Sequence, residues 1–277
     1  IGYNTPLLNR LVCSKISGLF GGNLAKVIAG GAPLSPRLQA FCRMAMNTNL
    51  VQGFGMTETC GPVLCMDRHD LSYGRSGPPL LNVYARLADW TEGGYRRTDS
   101  PCPRGELLIG SKTHWNGYLN LPKNTDEGYL KDEKNGIHYV RTGDIVQIHP
   151  DGTLEIIDRK KDLTKLANGE FISLGKIESG LRSSRYVENV CICTDRFRNE
   201  IIALVVPNRR TLRILAKELQ KEHLSIEQMC NDSMINAKIY ESIINRCRDL
   251  GFKKREIPVK VLLVKEEWTQ ENNLLTA

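Results

Sequence analysis

The sequence predicts a mixed α/β and α+β fold laid out in three stretches: α/β over residues 1–72, a small barrel-like antiparallel β stretch over 73–160, and a compact α+β domain over 161–277. Three observations predict it. Strand-like, glycine-turn, helix-like and strand-like segments follow one another between Lys26 and Val51. From Gly74 to Asp158, short apolar runs alternate with Gly, Pro, Asp and Asn. After Lys161, longer apolar runs and stripes of helical period return.

Taken in order, Leu7, Leu8, Leu11, Val12 and Ile16 fit one helical face. Lys26-Val27-Ile28-Ala29 reads as a short strand running into Gly30-Gly31-Ala32-Pro33. Ser35 then offers an N-cap and Pro36 the first helical position of a helix whose apolar side is Leu38, Phe41 and Ala45, with Met44 beside it. Leu50-Val51 opens a second buried strand that leads into the loop from Gly53 to Thr59. In such α/β sheets, ligands collect at the carboxyl ends of the strands.

In the middle stretch the strand candidates are Val83 to Leu87, Glu106 to Ile109, Ile145 to Ile148 and Leu154 to Ile157, and Asp151-Gly152 marks a hairpin between the last two. In the third, Val190 to Thr194 and Ile201 to Val206 read as strands, the second stopped by Pro207. Leu212, Leu215, Ala216 and Leu219 give one helical stripe. A longer helix is expected from Asn236 to Leu250, with Ile239, Ile243, Cys247 and Leu250 inward and Gly251 as C-cap. Val259 to Val264 is a further strand. Cys191-Ile192-Cys193 lies within a strand, where residues at i and i+2 face the same way, so both thiols are expected to be buried.

Composition excludes several classes. Of 277 residues, 41% are hydrophobic and 25% charged, which sets aside collagen-like, disulfide-scaffold and disordered chains. No run approaches the roughly 18 apolar residues of a membrane span. Residues 1–160 carry 18 Lys/Arg against 15 Asp/Glu, and residues 161–277 carry 20 against 16, so the net +7 is spread evenly. A nucleic-acid binder concentrates its charge on one element, and no nucleic-acid partner is expected. Nine cysteines without a repeated C-x-x-C imply neither a zinc site nor a disulfide framework, and a reducing, intracellular compartment. Neither end of the chain carries a start or stop signal, which reads as a fragment open at both ends.

Four motifs carry chemistry. Gly30-Gly31-Ala32-Pro33 lets a ligand approach the backbone, although taken alone it reads more readily as a tight strand-to-helix turn. Gly53-Phe54-Gly55-Met56-Thr57-Glu58-Thr59 places an aromatic between two glycines. A hydroxyl suited to a phosphate oxygen and a carboxylate suited to Mg²⁺ follow; Thr57 could equally be a helix cap. Thr142-Gly143-Asp144, read as a turn between strands, could hold a carboxylate against the two hydroxyls of a ribose. Asp158-Arg159-Lys160-Lys161-Asp162 would by itself be a solvated charge run.

The order and spacing of these motifs resemble the adenylate-forming superfamily of acyl-CoA synthetases, adenylation domains and luciferases. The run from Tyr139-Val140-Arg141-Thr142-Gly143-Asp144 to Ile157-Asp158-Arg159-Lys160-Lys161-Asp162-Leu163 resembles the fatty acyl-CoA synthetase signature. Arg104-Gly105-Glu106, Asn168-Gly169-Glu170 and Gly175-Lys176-Ile177-Glu178 agree with its long-chain branch. The resemblance implies a large amino-terminal domain followed by a small mobile carboxyl-terminal lid. Its chemistry would be activation of a long-chain fatty acid with ATP, Mg²⁺ and coenzyme A, through an acyl-adenylate.

Carried over residue by residue, the resemblance puts Gly31, Ala32 and Pro33 along the adenine pocket. Phe54, beside Gly55, stands where the family has a Tyr stacked on adenine. It makes Thr57 a phosphate-contacting hydroxyl and Glu58 the Mg²⁺-associated carboxylate. Asp144 becomes the ribose acid, Arg159 a ribose or phosphate contact, Lys161 the hinge, and Gly169 part of a loop near the pantetheine path. The family's Ser/Thr/Gly-rich phosphate loop and its carboxyl-terminal catalytic lysine have no counterpart here, so the fragment alone is expected not to adenylate. Membrane association, a cytosol-facing location and most of the acyl tunnel would depend on sequence upstream. Two rivals remain from the residues: a noncatalytic nucleotide or acyl-CoA binder, and an adenylate-forming enzyme for another acid.

Overall fold

The computed structural model describes residues 11, 13–32, 34–111, 116–132, 136–194 and 199–274. It divides the chain into two units, residues 1–160 and 161–277. Leu7, Leu8, Val12 and Pro33 lie outside the described residues. Among the described residues no helix is long and apolar enough to cross a membrane.

In the first unit, a short helix α1 (Ser14–Leu19) precedes strand β1 (Lys26–Ala29), helix α2 (Pro36–Ala45), strand β2 (Asn49–Met56) and strand β3 (Gly61–Cys65). β1 and β2 run parallel with α2 as their crossover, and β3 returns antiparallel to β2. α2 starts where the sequence places it. The Ser35 hydroxyl accepts the Leu38 N–H at 3.2 Å, and Pro36 occupies the first turn, where no amide hydrogen is needed.

The buried side of α2 differs from the expected apolar one. Leu38, Phe41 and Met44 are exposed, while Gln39 and Arg43 are buried together with Ala45. The reason is the surface that the helix meets. Gln52 of β2 donates to the Gln39 side-chain oxygen at 2.8 Å, and Arg43 Nη2 donates to the Leu50 carbonyl at 2.8 Å. Polar strand groups call for polar helix partners, because a buried unpaired carbonyl or amide costs more than an exposed apolar side chain.

The rest of this unit is a five-stranded antiparallel sheet. Its strands are β4 (Val83–Ala88), β5 (Arg104–Ser111), β6 (Tyr129–Asp132), β7 (Ile137–Ile148) and β8 (Leu154–Arg159), in the order β4-β5-β7-β6 with β8 on β7. A short helix α3 (Pro122–Gly128) leads into β6. The Asp151-Gly152 turn joins β7 to β8. One core ties both sheets together: Phe54, Val63 and Leu64 pack with Leu87, Leu107, Ile109, Val146 and Leu154.

In the second unit, β9 (Leu163–Lys165) and β10 (Phe171–Ser173) form a hairpin that runs into helix α4 (Leu174–Leu181). A three-stranded sheet follows, built from β11 (Val187–Thr194), β12 (Ile201–Pro207) and β13 (Lys260–Leu263), with β12 antiparallel to β11 and parallel to β13. Between β12 and β13 lie α5 (Arg209–Glu218), α6 (Ile226–Asn231) and α7 (Ser233–Asp249). Ile235, Ile239, Ile243 and Cys247 recur every fourth residue along α7 and have no solvent exposure.

α7 begins three residues before the expected Asn236, because the Asp232 carboxylate accepts the N–H groups of Met234 and Ile235 at 3.0 Å. Leu250 sits outside it as the C-cap and is half-buried. The two thiols of β11 also depart from expectation. Ile192 points into the core, so its neighbours face the other way: Cys191 is half-buried and Cys193 exposed.

Candidate functional site

The carboxyl ends of the parallel strands β1 and β2 open onto a cleft of about 570 Å³. Gly30, Gly31, Gly53, Gly55 and Gly61 line it, with Ile28, Phe54, Met56, Thr57, Cys60 and Pro62. Gly55 is required by the close approach of β3 to β2. A Cβ on Gly55 would stand 2.3 Å from the Gly61 carbonyl oxygen and 2.6 Å from Pro62 Cα. The five glycines put no side chain on their part of the cleft wall, a surface suited to a flat ring or a phosphate chain.

After β2 the chain makes one turn of 3₁₀ helix at Thr57–Thr59. Thr59 is buried and fixes that turn: its hydroxyl accepts the Met56 N–H at 3.1 Å and lies 2.9 and 2.8 Å from the carbonyls of Met56 and Gly61. Thr57 is exposed and lines the cleft; half-exposed Glu58 follows it in the same turn, beside the lining residues and not among them. Among the described residues no group of three or more His, Cys, Asp and Glu could hold a metal by itself. One carboxylate beside a hydroxyl instead fits Mg²⁺ arriving with phosphates, since that ion takes one or two protein carboxylates and keeps water and phosphate oxygens.

Phe54 is only 8% exposed and belongs to the core, although it borders the cleft. Phe54 therefore offers only a small part of its surface to the cleft, beside the glycine backbone. Ala32 is exposed and does not line the cleft.

Thr142-Gly143-Asp144 is not a turn. β7 runs straight through it, with Gly143 at φ +71° and a break in register opposite β5. This bulge in the ladder is what a glycine in the left-handed region permits. The Thr142 hydroxyl donates to the Leu107 carbonyl and accepts the Asp144 N–H. Asp144 faces Arg159 across the β7–β8 pair, and Arg159 Nε donates to its carboxylate at 2.7 Å. The acid is 2% exposed and the arginine side chain 62% exposed. The two are thus brought together with each other, and neither lines the glycine cleft.

Lys161 is exposed and opens the second unit. Gly169 lies in the loop of the β9–β10 hairpin, closed by the Leu166 N–H bond to the Glu170 carbonyl at 2.8 Å and by the Glu170–Arg255 ion pair.

Three comparisons bear on this arrangement. A model of the AMP-binding enzyme family matches residues 5–119, the segment that contains the cleft and the Thr57–Glu58 rim. Over 276 residues the chain is 41% identical to long chain acyl-CoA synthetase 8 of Arabidopsis thaliana, an alignment covering all of this chain and 38% of that protein. It is also 34% identical over 282 residues to long-chain-fatty-acid–CoA ligase 1 of Schizosaccharomyces pombe, covering 99% of this chain and 41% of the relative. Over residues 5–119 the chain is similar to the AMP-binding enzymes.

Among solved structures, the chain superposes on the A domain of a carboxylic acid reductase from Segniliparus rugosus, determined with AMP and a co-purified carboxylic acid. The TM-score is 0.77 at 28% identity, with 98% of this chain and 39% of that one covered. The chain spans about two-fifths of the length of the curated relatives it matches.

Sequence reasoning missed two features of the first unit. Tyr118, in the segment before α3, donates its phenolic hydrogen to Glu58 Oε1 at 2.5 Å. That carboxylate, together with burial, pushes the phenol up to about 12. Glu106, 4% exposed, lies 3.1 Å from Lys160 Nζ and 3.4 Å from an Arg141 nitrogen, while Lys160 also stands over the Trp90 ring. Lys160 is thus held to the sheet rather than forming part of a solvated charge run. Pairing at sequence separations of 54 and 60 leaves no local signal, so no pattern in the sequence could have exposed either contact.

Proposed function

We propose that residues 1–277 supply the nucleotide-handling part of an enzyme that joins a long-chain fatty acid to coenzyme A at the expense of ATP, releasing AMP and diphosphate. The observation that carries this reading is the glycine cleft with Thr57 and Glu58 at its rim, in a chain aligned along its whole length with a long chain acyl-CoA synthetase.

The chemistry gives each residue a task. A carboxylate is a poor electrophile, and joining it to AMP supplies a leaving group that a thiol can displace. Backbone at Gly30, Gly31, Gly53 and Gly55 would accept the base and sugar, and the Thr57 hydroxyl would donate to a phosphate oxygen. Glu58 would hold Mg²⁺, which neutralises the polyphosphate charge when bound. Asp144 would accept the ribose hydroxyls once Arg159 shares or releases its carboxylate. Lys161 would act as the pivot between two half-reactions, and the Gly169 loop would border the coenzyme A thiol arm. The location we propose is cytosol-facing, with membrane attachment and most of the acyl tunnel in the longer protein.

The test supplies full-length protein with ATP, Mg²⁺, coenzyme A and acids from acetate to stearate. Acyl-CoA and AMP should form fastest with the long-chain acids; turnover confined to short or aromatic acids would refute the substrate class. Asp144→Ala should weaken ATP about tenfold, the loss of roughly one charged hydrogen bond. Lys161→Pro should slow thioester formation more than adenylation.

A further inference from the structure

We propose that Tyr118 is a positioning residue that fixes Glu58 for the divalent cation carried with the nucleotide; this rests on the cleft being a nucleotide site. Glu58 stands on a single turn of 3₁₀ helix at the rim of the cleft, where a glutamate has many rotamers of similar energy. Tyr118 removes that freedom. Its Oη donates to Glu58 Oε1 at 2.5 Å across 60 residues of sequence.

The backbone that carries the phenol is itself anchored. The Tyr118 backbone N–H donates to Thr125 Oγ1 at 2.9 Å, the Thr125 hydroxyl donates to the Leu121 carbonyl at 3.0 Å, and the Leu121 N–H returns to the Tyr118 carbonyl at 3.1 Å. A closed set of bonds between the segment before α3 and its first turn therefore holds the donor in place.

The choice of donor matters chemically. A Lys or Arg at this distance would neutralise Glu58 and compete with a cation. A neutral phenol orients the carboxylate and leaves its full negative charge, with the second oxygen still able to accept a metal. Groups that orient a metal-binding carboxylate in this way typically change metal affinity 10- to 100-fold.

The experiment titrates ATP into the full-length protein with Mg²⁺ and, separately, with EDTA. Tyr118→Phe should lose about tenfold or more in the Mg²⁺-dependent gain of ATP affinity, with affinity in EDTA unchanged. In a Glu58→Gln background, Tyr118→Phe should cause no further loss, since both changes act on one contact. Equal Mg²⁺ dependence in wild type and Tyr118→Phe, or fully additive losses, would overturn the proposal while leaving the nucleotide reading intact. Loss of both arms together would show that Tyr118 only packs the rim. A wild-type protein whose ATP binding ignores Mg²⁺ would refute the nucleotide–metal reading and this proposal with it. Thr125→Val, which frees the Tyr118 backbone and leaves the phenol, should reproduce the Tyr118→Phe pattern in weaker form; it supplies the same measurement if Tyr118→Phe fails to fold.

Discussion

Gly55→Ala places one methyl group where the β2–β3 pair has no room. The new carbon would stand 2.3 Å from the Gly61 oxygen and 2.6 Å from Pro62 Cα, both backbone atoms. An ordinary carbon–oxygen contact is near 3.4 Å, so β3 must retreat by about 1 Å, and no side-chain rotation can relieve the clash. Overpacking of this kind costs about 1–3 kcal/mol, and weakening the adjoining ladder bond adds about 1 kcal/mol. The expected loss is therefore about 2–4 kcal/mol, confined to the first unit. Hydrogen exchange read on the peptide from Leu50 to Leu64 should show protection falling by roughly 30- to 700-fold, at a factor of ten per 1.4 kcal/mol. The α7 peptide should stay as protected as in wild type. ATP binding should weaken in parallel, because the same backbone lines the cleft. Unchanged protection in both peptides would refute the close-approach argument.

Ile239→Ala, in the fully buried row of α7, should destabilise the second unit by about 2–5 kcal/mol and Ile239→Val by about 1 kcal/mol, as read by urea unfolding. Glu256 supplies a pH dependence. Burial alone would raise its carboxyl, but the Lys176 ammonium at 2.8 Å and the Lys253 N–H outweigh it and hold the group below the usual value. A lowered folded pKa gives stability that is present above about pH 4.3 and is lost as pH falls through the folded value. Glu256→Gln should flatten the unfolding midpoint across that acid window, and an unaltered slope would refute the pairing. Alkylation sorts the cysteines. Burial pushes the thiols of Cys191 and Cys247 up to about 11, so they should resist iodoacetamide at pH 8, whereas exposed Cys193 and Cys60 should react. Because Cys60 lines the cleft, ATP with Mg²⁺ should slow its labelling, and labelling that ignores nucleotide would count against the cleft as its site.

Neighbours along the chain set the part of the fold that could be read without coordinates. Ser35 and Pro36 start α2, Asp151-Gly152 turns β7 into β8, and four-residue spacing puts Ile239, Ile243 and Cys247 inside. The motif glycines, with Thr57 and Glu58, were likewise legible, because each motif is continuous. Local rules failed where a side chain answers to a partner far away. The apolar stripe Leu38, Phe41 and Met44 faces outward because β2 presents Gln52 and the Leu50 carbonyl to the other side of the helix. Thr142-Gly143-Asp144 reads as a turn, yet ladder bonds to β5 and β8 on either flank carry one strand through it. Phe54 borders the cleft, but the sheets enclose most of its side chain. Tertiary structure alone paired Asp144 with Arg159, gave Glu106 its two cations, and brought Tyr118 to Glu58. Those contacts join residues between 15 and 60 positions apart. Their energy depends on distances that only the packed sheets define, and no periodicity in the chain encodes them.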